Sequence, residues 1–584
     1  MATADKILAA ARRAIRAHQQ GDQVLVVVSA RGHTTDELVE LAREITERPP
    51  AREMDMLLST GEQVSVALMA MAIQALGVPA ISFTGAQIGI VTDSFHTKAR
   101  IRNISTERMV QALDDGKIVI VAGFQGVDEH YNITTLGRGG SDTTAVALAA
   151  VLGADACEIY TDVDGVYTTD PRVVPEARKV DRISYDEMLE LASLGAGVMH
   201  SRSIEFAKKY GVPIHVRSSF TDTPGTWIVP ESDARRLGTS VTGAALAKDE
   251  ALITVLGVPD RPGVVHTLFR RIGEANIVVD MIVQNVSTEG ATDVSFTVSA
   301  VDLADVLRIT EAAAKEIGAS EVLNDPAGSK VSVVGLGMRT HTGVATTMFK
   351  ALADAGVNIR MITTSEIKIS VLLDREPGIP ALRAVHRAFA LHEIPFDFAP
   401  KFVPKPRQKT APSIAENGTA SLVGMEDLVI SAVELDEGQS RITVRHVPDQ
   451  PGYAASLFRQ IAEAQVFVDM IVQSAGRGEN THLSFTVPNA HAERAADAAR
   501  KAGPGDVQVE ASLAKLSVLG VGVRTHTGAA VRMFGALAER GINIGLINTS
   551  EVRINVATNF ERGREGLSCL RKAFSLLDDT GGSA

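Results

Sequence analysis

Up to about residue 235 the chain alternates short apolar, β-branched runs with longer stretches of helical period. Residues 24–28 and 118–122 are continuous apolar runs, and each leads through Gly or Ser into a helical segment. Runs without polar alternation suit strands covered on both faces. Their alternation with helices predicts a mainly parallel α/β sheet. Helices over 62–76 and beyond Ser141 supply the crossovers that such a sheet needs.

Beyond residue 240 the pattern becomes an internal repeat. Val258-Pro259-Asp260-Arg261-Pro262-Gly263 returns as Val447-Pro448-Asp449-Gln450-Pro451-Gly452. Val279-Asp280-Met281-Ile282-Val283-Gln284 returns as Val468-Asp469-Met470-Ile471-Val472-Gln473, and Ser295-Phe296-Thr297-Val298 as Ser484-Phe485-Thr486-Val487. A second set pairs Arg339-Thr340-His341-Thr342-Gly343 with Arg524-Thr525-His526-Thr527-Gly528, and Thr364-Ser365-Glu366 with Thr549-Ser550-Glu551. The duplicated unit is a pair of modules of about 70 residues each, four in all.

Each module reads as strand, Pro-Gly or Thr-Gly turn, amphipathic helix, strand, turn, strand, helix. In the first, Val264, Leu268, Ile272 and Ile277 share one helical face. Early strands at 240–247 and 429–435 are expected to complete the second and fourth modules, which interleaves each pair. The predicted organisation is an α/β domain over 1–235, modules over 239–325, 326–400, 428–510 and 511–578, and a linker over 401–427. Pro404, Pro406 and Pro412 with few large apolar residues suit an exposed linker.

Length gives a prior of several domains, since 584 residues at about 150 per domain make roughly four, and modules of about 70 residues raise the number to five. A net charge of −12 argues against a general phosphate-backbone binder. Cys157 and Cys569 are too few for a disulfide framework and suit a reducing cytoplasm. Arg12, Arg13 and Arg16 interrupt the only apolar stretch near the start, which removes a secretory signal, and no apolar run reads as long enough to cross a bilayer.

Three motifs carry candidate chemistry. Leu136-Gly137-Arg138-Gly139-Gly140-Ser141-Asp142 is a glycine-rich loop opening a helix, where free N–H groups attract anions and Arg138 can clamp a carboxylate or phosphate. Thr161-Asp162-Val163-Asp164-Gly165-Val166-Tyr167-Thr168-Thr169-Asp170-Pro171-Arg172 ends a strand, where open α/β sheets bind ligands; an Asp turn closed on its own backbone explains Asp162 and Asp164 equally well. Ser29-Ala30-Arg31-Gly32-His33-Thr34-Thr35-Asp36 follows the first strand, with Asp36 and Glu37 suited to the helix start and Ser29 and Thr35 to a ligand. Glu62 reads as a carboxylate at a helix start. No metal-ligand spacing or Ser/His/Asp arrangement is evident.

Together these residues, with Arg52-Glu53-Met54-Asp55-Met56-Leu57 and Val121-Ala122-Gly123-Phe124-Gln125-Gly126, resemble the aspartate kinases of the amino acid kinase superfamily, followed by four ACT domains of ferredoxin-like βαββαβ type. The resemblance implies ATP-dependent phosphorylation of the L-aspartate side-chain carboxylate to 4-phospho-L-aspartate. This is the step that opens lysine (diaminopimelate), threonine and methionine synthesis. It implies Arg138, Asp142 and Glu62 as catalytic residues, with Arg138 on the substrate α-carboxylate and Glu62 on its ammonium. Ser29, Thr35, Phe124, Gly139, Gly140 and Ser141 line the same pocket. ATP falls to His33, Thr34, Thr161, Asp162, Tyr167, Thr168, Thr169, Asp170, Pro171 and Arg172, with Mg²⁺ near Asp142.

The ACT resemblance implies feedback by lysine or threonine. The contacts would be Asp260, Asp280 and Gln284 in the first module and Asn358, Ile359, Ser365 and Glu366 in the second. Their repeat counterparts are Asp449, Asp469, Gln473, Asn543, Ser550 and Glu551. Association of copies through ACT domains, a cytoplasmic location and no nucleic-acid or membrane partner complete the expectation. Two departures stand out. The family's opening strand with Lys-Phe/Tyr-Gly-Gly is expected ahead of the first helix, where the chain starts at Met1-Ala2-Thr3, and Gly197 stands where many relatives carry a nucleotide-contacting lysine. The first departure motivates the alternative of a catalytically inactive amino-acid sensor or regulatory subunit. Retention of Glu62, Arg138 and Asp142 speaks against it. A kinase acting on another amino acid, such as glutamate, is a weaker rival.

Overall fold

A computed structural model describes residues 3–194, 198–234, 240–275, 277–284, 290–339, 341, 343–394, 402–404, 424–473 and 480–576. Gly197 lies outside the described residues. In the first domain β1 (Leu25–Val28), β5 (Ile118–Ala122) and β2 (Ala80–Phe83) form a parallel sheet in the order β1-β5-β2. Every residue of β5 is buried, as a continuous apolar run in a covered central strand requires. A second sheet runs β8 (Cys157–Thr161), β10 (Ile214–Ser218), β11 (Thr226–Val229), β9 (Arg182–Ser184), with only the β10–β11 pair antiparallel. Among the described residues, both β1 and β8 have a strand neighbour on one side only. Short strands β3 (Val91–Thr92), β4 (Ile101–Asn103), β6 (Gln125–Val127) and β7 (Ile133–Thr135) form a third sheet that presents the glycine loop.

Helices cover the sheets. Residues Ile7, Ala11 and Ile15 of α1 (Ala4–Gln19) meet Met69 and Ile73 of α3 (Ala51–Ala75) in one core. α2 (Thr34–Ile45) follows β1. α4 (Glu107–Asp114), α5 (Gly140–Leu152), α6 (Tyr185–Ser193) and α7 (Ser201–Tyr210) share the other core through Met109, Val146, Met188 and Ile204. A short α8 (Glu231–Ala234) ends the domain.

Two expectations are corrected here. The helix expected at 62–76 begins at Ala51, so Glu62 sits mid-helix instead of at a start. The Ser59-Thr60-Gly61 stretch does not break it, because Ser59 and Thr60 return their hydroxyls to the Met56 and Leu57 carbonyls. At 25 residues α3 is also, by length and composition, the one helix among the described residues able to cross a bilayer. Its packed face carries buried Asp55, Ser59, Glu62 and Ser65, as a core helix around a site does.

The second half forms one twelve-stranded sheet, ordered β13 (Asp280–Gln284), β14 (Ala291–Ser299), β12 (Gly243–Pro259), β15 (Glu321–Val334), β17 (Lys368–Asp374), β16 (Met361–Ser365), β19 (Ile471–Gln473), β20 (Asn480–Pro488), β18 (Val429–Pro448), β21 (Asp506–Val521), β23 (Arg553–Asn559), β22 (Leu546–Thr549). The interleaving expected from the sequence is present: Gly243 to Ala247 pair with Val334 to Lys330 of the second module, and Val429 to Leu435 pair with Val521 to Leu516 of the fourth.

The modules carry helices α9 (Val264–Glu274) and α10 (Leu303–Ile317), α11 (Val344–Asp354) and α12 (Gly378–Ala388), α13 (Tyr453–Glu463) and α14 (Ala492–Lys501), α15 (Gly528–Glu539) and α16 (Gly563–Ala573). Ile277 lies past the end of α9 and is not on its face.

Module contacts cross the repeat. The first module packs on the fourth, with Phe269 of α9 and Phe534 of α15 at 5.9 Å, and the second packs on the third, with Phe349 of α11 and Phe458 of α13 at 5.3 Å. The stretch 401–427 departs from an exposed linker at both described ends. Phe402 packs on Trp227, Met425 is buried, and Glu426 and Asp427 bond to the first domain. Residues 405–423 lie outside the described residues.

Candidate active site

The site forms where the carboxyl ends of β1 and β5 meet the start of α5, the position that parallel strands leave open for ligands. The Gly123 N–H, just past β5, bonds the Val28 carbonyl at 3.0 Å. A Cβ on Gly123 would stand 2.7 Å from the Ser141 hydroxyl, so only glycine lets α5 close on this turn. Phe124 follows at φ +68°, a backbone conformation costly for a side-chain-bearing residue. Its N–H donates to Thr144 and its ring lies against Gly140.

Glu62 reaches this turn from α3. Gly61 lets the helix approach Ala30, and the Ala30 N–H donates to Glu62 Oε1 at 3.0 Å. Oε2 has no hydrogen-bond partner among the described residues. Burial pushes the Glu62 carboxyl up to about 7, against the Ala30 bond that lowers it. Ser29 and Thr35 are exposed on the same turn, beside exposed His33 and half-buried Thr34. Thr35 does not cap α2, whose N-cap position is His33 without a side-chain cap bond.

The glycine loop ends β7. Gly137 and Gly139 take φ +76° and +68°, and between them Arg138 is exposed, with no ion pair or hydrogen bond among the described residues. Asp142, in the first turn of α5, is pushed up to about 6 by burial. Its charge also helps raise the buried Cys157 thiol, after burial itself, which places it beside β8.

The second motif is divided. Thr161 ends β8 and its hydroxyl donates to exposed Asp162. Tyr167 donates to Asp164, and Arg172 folds back on Asp170 at 2.9 Å. Pro171 is half-buried and Arg172 exposed. Thr168 and Thr169 are buried. Thr168 is corrected as a nucleotide contact, because its hydroxyl meets His386 Nε2 of the second module at 3.0 Å.

Several residues with no sequence-derived role build the scaffold. Asp55 of α3, fully buried, holds the base of the glycine loop. It accepts from the Thr135 hydroxyl (2.5 Å) and the Thr97 N–H (3.0 and 3.1 Å), and it pairs with His96 (2.7 Å). His200 packs on Gly139 so closely that any Cβ there would overlap it. A buried carboxylate within the Arg-Glu-Met-Asp-Met-Leu helix was the available signal, since Asp on an apolar helical face needs partners.

Candidate regulatory residues meet across the module pairs. Asn543 donates to Asp260 at 2.7 Å, and Gln284 to the Ile544 carbonyl at 3.0 Å, joining modules one and four. Asn358 donates to Asp449 at 2.8 Å, and Gln473 to the Ile359 carbonyl at 3.2 Å, joining modules two and three. Asp280 and Glu551 lie within a buried ion cluster. Lys330 binds Asp280 and Glu250 at 2.6 Å, Arg524 pairs with Glu551 and Asp280, and Lys368 binds Glu190 of α6 at 2.7 Å. Burial would raise Asp280, but Arg524 and Lys330 outweigh it and hold its carboxyl well below the usual range.

The repeat counterpart is open. Arg339, Ser365, Glu366, Asp469 and Lys515 line a cavity of about 440 Å³ between modules two and three, whereas the equivalent space at Arg524 and Ser550 is about 40 Å³. Both cysteines are free.

Comparison with known proteins accords with this geometry. The amino acid kinase family model matches residues 1–218, and ACT domain models match 252–318, 331–389, 442–502 and 516–574. Fold and site thus define an amino acid kinase domain followed by ACT domains. An aspartate kinase of Pseudomonas putida is 51% identical over 387 residues, 66% of this chain and 94% of the relative, and an aspartokinase of Mycolicibacterium smegmatis is 49% identical over 400 residues, 67% and 94%. Aspartate kinase from Synechocystis is 40% identical with a TM-score of 0.52, over 100% of this chain and 98% of that one. E. coli aspartokinase III, solved with aspartate and ADP, is 25% identical with a TM-score of 0.58, over 66% and 97%. The chain belongs to the aspartate kinase family, enzymes that use ATP to phosphorylate the side-chain carboxylate of L-aspartate.

Proposed function

We propose that Arg138 and Glu62 together select L-aspartate. The observation that carries this reading is a pair of unspent groups among the described residues: the exposed Arg138 guanidinium, with no ion pair or hydrogen bond, on the loop that opens α5, and the buried Glu62 carboxyl, with one oxygen unsatisfied, at the turn after β1. Arg138 takes the α-carboxylate through two parallel N–H bonds, and Glu62 takes the ammonium. Ser29, Thr35, Phe124 and Ser141 close round the backbone of the substrate, with Gly139 and Gly140 allowing its approach. The side-chain carboxylate then points toward the start of α5, whose unpaired N–H groups favour the γ-phosphate of ATP. A carboxylate oxygen attacks the γ-phosphorus as the bond to the bridging oxygen breaks, leaving ADP. The chain supplies position and charge neutralisation for this step.

For the nucleotide, Thr161, Asp162, Tyr167, Asp170, Pro171 and Arg172, with His33 and Thr34, form the candidate wall. Thr169 stays behind it. Asp142 suits Mg²⁺, an ion that takes one or two carboxylates with the rest of its shell from phosphates and water. No cluster of three or more ligand side chains exists among the described residues, and a nucleotide-borne ion needs none. When bound, Mg²⁺ neutralises phosphate charge. Lysine or threonine acts at the Asp260–Asn543 and Asn358–Asp449 junctions, and the cavity beside Ser365, Glu366 and Asp469 is a further effector space. Copies associate through ACT modules in a cytoplasmic enzyme.

The test is aspartate-dependent ADP formation with Mg-ATP, with and without saturating lysine plus threonine. Arg138→Ala is expected to raise KM for aspartate by at least about tenfold, the weight of a lost charge-assisted pair. An unchanged KM for aspartate would overturn the assignment of Arg138, and activity indifferent to both amino acids would overturn the regulatory reading.

A further inference from the structure

The loop that carries Arg138 is held from two sides. One is the Asp55 cluster of α3, inside the catalytic domain. The other is Arg202, the second residue of α7. Its Nη1 donates to the Leu136 carbonyl, one peptide before Gly137, and its Nη2 donates to the Ala99 carbonyl at 2.9 Å. The Ala99 N–H donates in turn to the Thr135 carbonyl at 2.9 Å. Both residues leading into the glycine loop therefore hang on one guanidinium.

The opposite edge of that guanidinium meets Glu426. Nε lies 3.1 Å from Oε1, and Nη2 lies 2.7 and 2.9 Å from the two carboxylate oxygens. The two side chains are 16% and 8% exposed. Glu426 belongs to the segment leading into β18 of the third ACT module, and it is pinned by the Ile101 N–H at 2.6 Å. The fourth module presses on the same place. Arg100 donates to the Thr525 carbonyl at 2.9 Å, and the Thr525 hydroxyl donates to Glu205 of α7 at 3.0 Å.

Burying two charges costs more desolvation than their pairing ordinarily returns, so packing alone would be served as well by apolar residues. A bidentate pair fixes direction as well as distance. A guanidinium held by Glu426 on one edge and by the Leu136 and Ala99 carbonyls on the other does not shift without taking Leu136 along.

We propose that Arg202 is a positioning residue for aspartate binding and that Glu426 sets it, so that the segment entering the third ACT module bears on substrate affinity through one ion pair. The inference rests on Arg138 holding the substrate α-carboxylate.

The test uses the full chain and four variants: Glu426→Gln, Arg202→Gln, their double, and Arg138→Ala as control. Glu426→Gln is expected to raise KM for aspartate on the order of tenfold, with KM for ATP within about twofold and kcat within about threefold. Arg202→Gln raises KM for aspartate at least as much, and adding Glu426→Gln to it changes nothing further, because both act on one strut. Wild-type KM for aspartate in Glu426→Gln, or an equal rise for aspartate and ATP, overturns the proposal. Where Glu426→Gln gives no cooperative melt, Arg202→Lys decides, since lysine keeps the charge but cannot span both edges. Here too the expected result is a raised KM for aspartate alone, and an unchanged one overturns the proposal. If Arg138→Ala leaves KM for aspartate unchanged, the underlying reading fails; if it raises KM and Glu426→Gln does not, only this inference fails.

Discussion

Glu62 shows how much a single residue's role depends on what surrounds it. Its type and its nearness to a ligand turn were legible in the sequence, but its mid-helix position and its unsatisfied oxygen were not, because both follow from α3 packing on Ala30. Burial holds its proton up to about 7, against an ordinary value of 4.5. An ammonium bound beside it favours the charged form, so aspartate must expel that proton at lower pH. KM for aspartate is expected to fall as pH rises from about 6 to 8, approaching tenfold per unit on the acid side. Glu62→Gln should raise KM and flatten the profile above pH 6.5, where Asp142, at about 6, is already largely ionised. The stability sign is opposite. Between 4.5 and 7 the folded chain holds a proton the unfolded chain has lost, so this group's contribution declines as pH rises, and Glu62→Gln removes that slope in thermal melts. A KM for aspartate flat across this range in the wild-type chain would remove Glu62 from the ammonium site.

At the scale of elements, the glycine loop and the strands were readable because their signals are local: Gly137-Arg138-Gly139-Gly140 opens a helix, and the apolar runs became β1 and β5. What gives the loop its shape was not readable, since it comes from Asp55, His200 and Arg202, which are remote in sequence. Gly139 carries this dependence most sharply. It stands at φ +68° with His200 filling the place of a Cβ, so alanine there is strained twice over. Gly139→Ala is expected to displace Arg138 and lower kcat/KM for aspartate by about 10²-fold, the effect of an ångström-scale misplacement. Gly139 is half-buried, and backbone strain of about 1–3 kcal/mol should lower the melting temperature by only a few degrees. A variant with wild-type kcat/KM would show that the loop tolerates a different path.

For the whole molecule, the repeat announced four modules, yet not which of them would meet. Modules one and three share one motif set, and two and four the other, so the pairing of one with four and two with three is decided by contacts that the repeats do not distinguish. The two junctions then diverge. The one beside Ser365 stays open although Lys515–Asp469 and Arg339–Glu366 repeat the ion pairs there, while at its counterpart the Arg524, Glu551 and Asp280 cluster reaches the catalytic domain through Lys368 and Glu190. Burial would lower the Lys368 ammonium, but Glu190, Asp280 and Glu551 outweigh it and keep it raised. Lys368→Met would strand Glu190 in the interior, since Glu551 keeps Arg524, and a buried pair broken on one side costs about 3–5 kcal/mol. Adding Glu190→Gln removes the stranded charge and should recover part of that loss. The measurement is thermal and urea unfolding of the full chain, followed separately by Trp227 fluorescence in the catalytic domain and by far-UV circular dichroism. Because the cluster ties both halves, Lys368→Met should separate two transitions that coincide in the wild type. Coincident transitions at the wild-type midpoint would mean that the halves are joined elsewhere, through contacts such as those of Glu426, Thr525 and His386 with the catalytic domain.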